Sequence, residues 1–168
     1  LSRVLSSSMA LLARRLSGFE MKVLAYDPFC SKERARDLGV QLVSLPELFE
    51  QSDFVSLHIP ENKETRGLIN ASLLERMRPG ATLINCARAG VIVEADLRKA
   101  KAERGLRFLN DVYEKDEPGT KSVADIADIM LPHLGASTLE ANLKAAQMAA
   151  EQLIDYDEKG TATFIVNR

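Results

Sequence analysis

Six short apolar segments separated by stretches of helical character constrain this chain more than any other feature. Residues 22–26, 41–43, 54–58, 82–86, 106–110 and 128–131 read as strands. The segments between them carry helix punctuation. Gly39 ends the one that starts at Ser31, Pro46 opens one that runs to Gln51, and Arg78-Pro79-Gly80 stops the one that begins near Asn70. Strands that alternate with helices are joined by crossovers, so they run parallel, and the expected class is α/β. A last long helix is expected from Ser137, whose spacing to Glu140 fits a capping box. It should bury Leu143, Ala146, Ala150 and Leu153 and stop before Gly160, leaving 161–166 as a terminal strand. With no internal repeat and no low-complexity linker, one compact unit is the simplest organisation.

Ligands of parallel sheets gather beyond the carboxyl ends of the strands. The residues at those ends are Asp27-Pro28, His58-Ile59-Pro60, Asn85-Cys86-Ala87-Arg88, Asp111 and Pro132-His133, so both histidines fall on one edge. A helix that hands over to a short apolar strand ending in an acid, as at residues 21–27, is the second half of a dinucleotide-binding βαβ unit. Asp27 there can accept both ribose hydroxyls and disfavour a 2′-phosphate, selecting NAD over NADP. It can equally cap a turn before Pro28, and both uses stay open. Arg88 follows an apolar strand and precedes Ala89-Gly90. Its planar fork suits a carboxylate, or else a surface ion pair. His133 is either a structural histidine at a strand terminus or, with Glu117 beside it to stabilise imidazolium, an acid–base group. His58 either lines the crevice or is satisfied at its strand end. Arginine, glutamate and histidine together suit hydride transfer involving a 2-keto acid, with the arginine gripping carboxylate and carbonyl while the histidine supplies the proton.

A formal net charge of −2 without a basic cluster excludes a nucleic-acid footprint, and no apolar run approaches the roughly 18 residues of a membrane span. Cys30 and Cys86 form no CxxC pair. Free thiols in a reducing, cytoplasmic compartment are expected, and with His58 and His133 as the other soft ligands no metal site is expected. Residues 1–19 hold Arg3, Arg14, Arg15, five serines and no acid, the composition of a mitochondrial presequence. Leu5, Met9, Leu12, Leu16 and Phe19 nevertheless recur at helical spacing and run straight into the first strand, so a structural helix is expected.

The segments VLAYDP, HIPENKETRGLIN, RMRPGATLINCARAGVI, DVYEKDEP and LPHLGAST occur in the order and approximate spacing of the coenzyme domain of D-2-hydroxyacid dehydrogenases. Residues 10–168 resemble that domain. The resemblance implies a parallel Rossmann-type sheet with helices on both faces, NAD as cofactor, and a D-2-hydroxy acid such as 3-phosphoglycerate as substrate. It makes Arg88 the arginine that binds and polarises the substrate, His133 the acid–base catalyst and Glu117 its carboxylate partner. Asp27 becomes the adenosine-ribose acid. Pro28, His58, Pro60, Thr65, Cys86, Ala87, Arg88, Asp111, His133, Gly135 and Ala136 then line the cofactor. It further implies a homodimer through this domain, an NAD-binding domain over 1–160, and a tail over 161–168 that returns to a separate substrate domain.

The departures are specific. In the family a strand and a GxGxxG turn precede the first helix, and counting back from Met21 puts the glycines at Val4, Ser6 and Met9. Val4 and Met9 would obstruct close approach to a pyrophosphate, although Ser6 to Ser8 can still cap the helix. The first strand and glycine loop are therefore expected to be missing or degenerate, and the remaining strands could close up in a flavodoxin-like 2-1-3-4-5 order. Ala89 replaces a usual glycine and Val93 a usual acid. One extra residue separates Asp111-Val112 from Glu117, which keeps Glu114 and Asp116 as alternatives. The expected function is the coenzyme domain of an NAD-dependent oxidoreductase, weakly active or inactive by itself; the alternative is a non-catalytic nucleotide-sensing or protein-interaction module.

Overall fold

The computed structural model describes residues 7–113, 122–135 and 137–161, and within them every paired strand runs parallel to its neighbour. β1 (Leu24–Ala25) pairs with β2 (Gln41–Leu42). β3 (Phe54–Leu57), β4 (Thr82–Asn85), β5 (Arg107–Asn110) and β6 (Ile129–Met130) form a second sheet in that order. All six expected strands are present, each shorter by one residue or more. The crossovers carry α2 (Lys32–Asp37), α3 (Leu45–Gln51), α4 (Ala71–Leu74) and α5 (Glu94–Arg104), and α1 (Ser7–Leu16) precedes β1.

The separation into two sheets has a simple relation to the dinucleotide-binding order 3-2-1-4-5-6. β2 and β1 match its strands 3 and 2, β3 to β5 match 4, 5 and 6, and the place of strand 1 lies at the break. The flavodoxin-like closure needs β1 against β3, and no such pairing forms among the described residues.

Local chemistry sets the helix starts. Ser31 Oγ accepts the Arg34 amide at 3.1 Å at the head of α2. Ser44 and Glu47 form a capping box around Pro46 at the head of α3, and the bonds from Ser44 hold the Glu47 carboxyl below its ordinary range. The helix expected from Asn70 toward Arg78 is a single turn, α4, capped by the Asn70 side chain. In α1 the buried positions are Ala10 and Ala13 rather than the larger residues of the expected stripe, and Phe19 is 75% exposed. Small side chains let α1 approach closely, and they join Ala25, Ala35, Leu38 and Val40 in a minor core. The major core packs Leu83 and Phe108, paired in register, with Leu74, Met77 and Leu97.

The chain divides into two compact units, Leu1–His133 and Leu134–Arg168. The second holds α6 (Leu139–Lys159). Its N-cap is Thr138, which accepts the Ala141 amide at 3.1 Å, and not Ser137, whose own amide donates to Leu134 O at 2.8 Å. No residue of α6 is buried, and Leu143 and Leu153, expected in the core, are 56% and 70% exposed. The reason is that α6 is the only described element of its unit, so its apolar stripe has no second face there to cover it. The expected terminal strand lies, apart from Thr161, outside the described residues. No described helix is long and apolar enough to cross a membrane.

The paired core residues supply a direct test. Phe108→Ala should cost about 3–5 kcal/mol in chemical denaturation, whereas Phe19→Ala should stay within about 0.5 kcal/mol.

Candidate functional site

The register of the four-stranded sheet aligns Leu57 with Asn85, Asn85 with Asn110, and Asn110 with Met130. Since neighbouring strands lie roughly 4.8 Å apart, the next residues, His58, Cys86, Asp111 and Leu131, stand in one row at the carboxyl edge, with His133 two residues further. Asp111 and Cys86 are close enough to interact: burial first, and the Asp111 charge second, push the thiol above its ordinary range.

The arginine loop is held from below and from the side. Asn85, 2% exposed, accepts the Ala87 amide at 3.0 Å through Oδ1 and donates Nδ2 to Arg88 O at 3.2 Å. Arg88 is exposed, with Nη1 donating to Ala87 O at 2.6 Å. The turn Ala89–Val91 that follows is stitched to the segment after β3 by Gly67 N to Gly90 O at 2.8 Å and Ile69 N to Val91 O at 3.0 Å. A Cβ at Gly90 would meet the Glu61 carboxylate at 2.6–2.7 Å, so a side chain there would have to displace the end of Glu61, which is ion-paired with Arg66.

The remaining expected residues are distributed as follows. His58 is half-buried, with Nε2 at 2.9 Å from Ser56 Oγ, and burial pushes its imidazole below the ordinary range. Thr65 Oγ1 donates to Pro60 O at 2.6 Å and accepts the Asn62 amide at 2.9 Å, so the hydroxyl closes the turn that presents Pro60. Asp27 Oδ1 accepts the Phe29 amide at 2.8 Å, the turn use of an Asp-Pro pair. A carboxylate has further lone-pair sites, so this bond leaves the ribose use open. Asp27 follows β1, which belongs to the other sheet, and is not in the aligned row. Pro28 beside it is exposed.

His133 is delivered by β6, whose approach is pinned to α5. Arg98 grips Asp125 in a fork of 2.6 and 2.8 Å, and Asp128 accepts the Phe108 amide at 2.7 Å while paired with Lys101. Arg98 and Lys101 hold these two carboxyls below their ordinary range. His133 itself has φ +54°, left-handed backbone that a non-glycine residue seldom adopts. Gly135, with φ +50°, belongs to the second unit. Glu117 and Ala136 lie outside the described residues, as do Glu114 and Asp116.

A cavity of about 220 Å³ opens beneath the arginine loop on the α5 side, lined by Asn85, Gly90, Glu94, Leu97, Asn110 and Ser122 among others. Arg88, Asp111 and His133 do not line it, so the cavity and the aligned row are different places. Glu61 and Tyr113 were not singled out from the sequence, and Asn85 was marked only by its place at a strand end. A polar residue closing an apolar strand was the available signal for Asn85, whereas Glu61 against Gly90 is a long-range meeting with no local mark.

Comparison with known proteins places these positions in context. Residues 10–135 match the NAD binding domain of D-isomer specific 2-hydroxyacid dehydrogenases. The chain is 42% identical over 147 residues to D-3-phosphoglycerate dehydrogenase of Archaeoglobus fulgidus and 46% identical over 138 residues to that of Synechocystis. These matches cover 86% and 80% of the chain but only 28% and 25% of the relatives. Among solved structures, Rhodotorula graminis D-mandelate dehydrogenase superposes with a TM-score of 0.78 at 29% identity, covering 91% of this chain and 46% of that one. The NAD⁺-bound 3-phosphoglycerate dehydrogenase of Entamoeba histolytica gives 0.71 at 34% identity, covering 90% and 49%.

The burial of His58 has a pH signature. Its folded-state affinity for a proton is depressed, so the unfolded chain binds more protons below pH 6.5 and stability falls as the pH drops through that region. Denaturation midpoints measured from pH 8 to 5 should fall more steeply for the native chain than for His58→Gln.

Proposed function

This chain belongs to the D-isomer specific 2-hydroxyacid dehydrogenase family, and we propose that it is the coenzyme-binding part of an NAD-dependent enzyme that interconverts a D-2-hydroxy acid and its 2-keto acid. The observation that carries the reading is the register that sets Arg88, Asp111 and the residues leading to His133 at consecutive strand ends. The named relatives favour 3-phosphoglycerate as the hydroxy acid. A homodimer in the cytoplasm accords with the family resemblance.

The residues present fit the cofactor at two of three points. Asp27 offers a half-buried carboxylate at the end of β1 for a ribose, and Asp111 with Cys86 and Ala87 offers a polar edge for the nicotinamide end. The pyrophosphate end is poorer. Met9, at the third glycine position, packs beside the minor core, and a side chain there limits backbone approach. NAD, when bound, supplies the acceptor for the C2 hydride. His133 takes the hydroxyl proton as the carbonyl forms and returns it in the reverse direction. Arg88 holds the substrate carboxylate with its fork and draws charge toward the developing carbonyl oxygen. Glu117 is the carboxylate that would favour the imidazolium.

Calorimetric titration should show NADH preferred over NADPH, with Asp27→Ala erasing the preference. In assays of this chain completed by a family substrate domain, with NADH and a panel of 2-keto acids, His133→Gln should lower kcat by about 10²–10⁴-fold. Arg88→Lys should act chiefly by raising KM, by about tenfold or more. Undiminished turnover in both variants would contradict the reading. NADH binding with no turnover even when the chain is completed by a family substrate domain would favour a nucleotide-sensing module.

A further inference from the structure

We propose that Tyr113 is a positioning residue for His133, an inference that rests on reading His133 as the group that moves the proton. Tyr113 stands three residues beyond β5 and His133 three beyond β6, so the parallel register brings them to the same edge. The two rings meet edge to face, with centroids 6.1 Å apart and planes at 81°, the arrangement that aromatic quadrupoles favour. The tyrosine hydroxyl reaches Pro132 O in a long 3.4 Å hydrogen bond.

These two contacts act on different torsions. Pro132 O belongs to the peptide that enters His133, so its orientation bears on φ, while the ring contact bears on the side-chain torsions. One side chain thus touches both ends of the residue whose backbone is in the left-handed region at φ +54°. Such a conformation persists only where surrounding groups over-determine it. An acid–base group is useful only if its nitrogen is held within hydrogen-bond reach of the reacting oxygen. Tyr113 needs no contact with the substrate to act in this way.

The test uses Tyr113→Phe, which keeps the ring, and Tyr113→Leu, which keeps bulk but not the ring plane. The chain has only two histidines, so His133 resonances are assigned by their loss in His133→Gln. Three-bond couplings about χ1 of His133 should report one rotamer in the native protein and in Tyr113→Phe, and rotamer averaging in Tyr113→Leu. In turnover assays Tyr113→Leu should lower kcat about tenfold with KM within about twofold, and Tyr113→Phe should restore most of the rate. Unchanged couplings in a folded Tyr113→Leu overturn the proposal. If that variant does not fold, Tyr113→Met, which also lacks the ring plane, takes its place, and unchanged couplings there overturn the proposal. Full kcat in Tyr113→Leu beside an inactive His133→Gln overturns the positioning role alone, whereas full kcat in His133→Gln removes the functional reading beneath it.

Discussion

The parallel ladder from β3 to β6 is the constraint on which the other features depend. Its hydrogen bonds place Leu57, Asn85, Asn110 and Met130 in one line, and His58, Arg88, Asp111 and His133 follow those residues. A slip of one residue in β4 or β5 would turn Leu83 or Phe108, respectively, out of the core and move the polar residues that follow it off the edge. Burial of that pair therefore secures the register, and the register in turn secures the site. The ion pairs from α5 to Asp125 and Asp128 extend the same control to β6, which contributes only two residues to the ladder.

The edge also shows how buried polar groups are used. Asn85 has almost no solvent exposure, and both ends of its amide bond the loop that carries Arg88. A hydrophobic residue there would fill the space but leave the Ala87 amide without that acceptor. Asn110, its register partner, donates to Val112 O while its Oδ1 is buried without a hydrogen-bond partner among the described residues, beside the 220 Å³ cavity. The cleft edge is thus backed by a polar layer rather than by a continuous apolar core.

Strands and their carboxyl ends were legible because a parallel α/β chain repeats one pattern and each short apolar run is bounded by Gly, Pro or a capping residue. Ser31 and Ser44 mark helix starts that local chemistry determines. Legibility failed where the outcome depended on partners distant in sequence. The stripe of α6 reads as a core face, yet Leu143 and Leu153 are exposed because their unit contains no second described element. In α1 the larger residues suggested the buried face, whereas close packing selected Ala10 and Ala13. At Asp27 the turn use is the one the structure shows: one oxygen accepts the Phe29 amide, and the carboxylate follows β1 at its strand end.

The break between the two sheets coincides with the place of the dinucleotide-binding strand 1, so Asp27 and the aligned row lie on separate ladders. A cofactor that spans them must be recognised from both. The most direct measurement is an amide-resolved NMR titration of the protein with NADH. The account predicts that shifts concentrate at Asp27 and Phe29 on one side and at His58, Cys86, Arg88 and Asp111 on the other. Shifts confined to Glu94, Leu97 and Ser122 around the cavity, with the strand ends undisturbed, would contradict it.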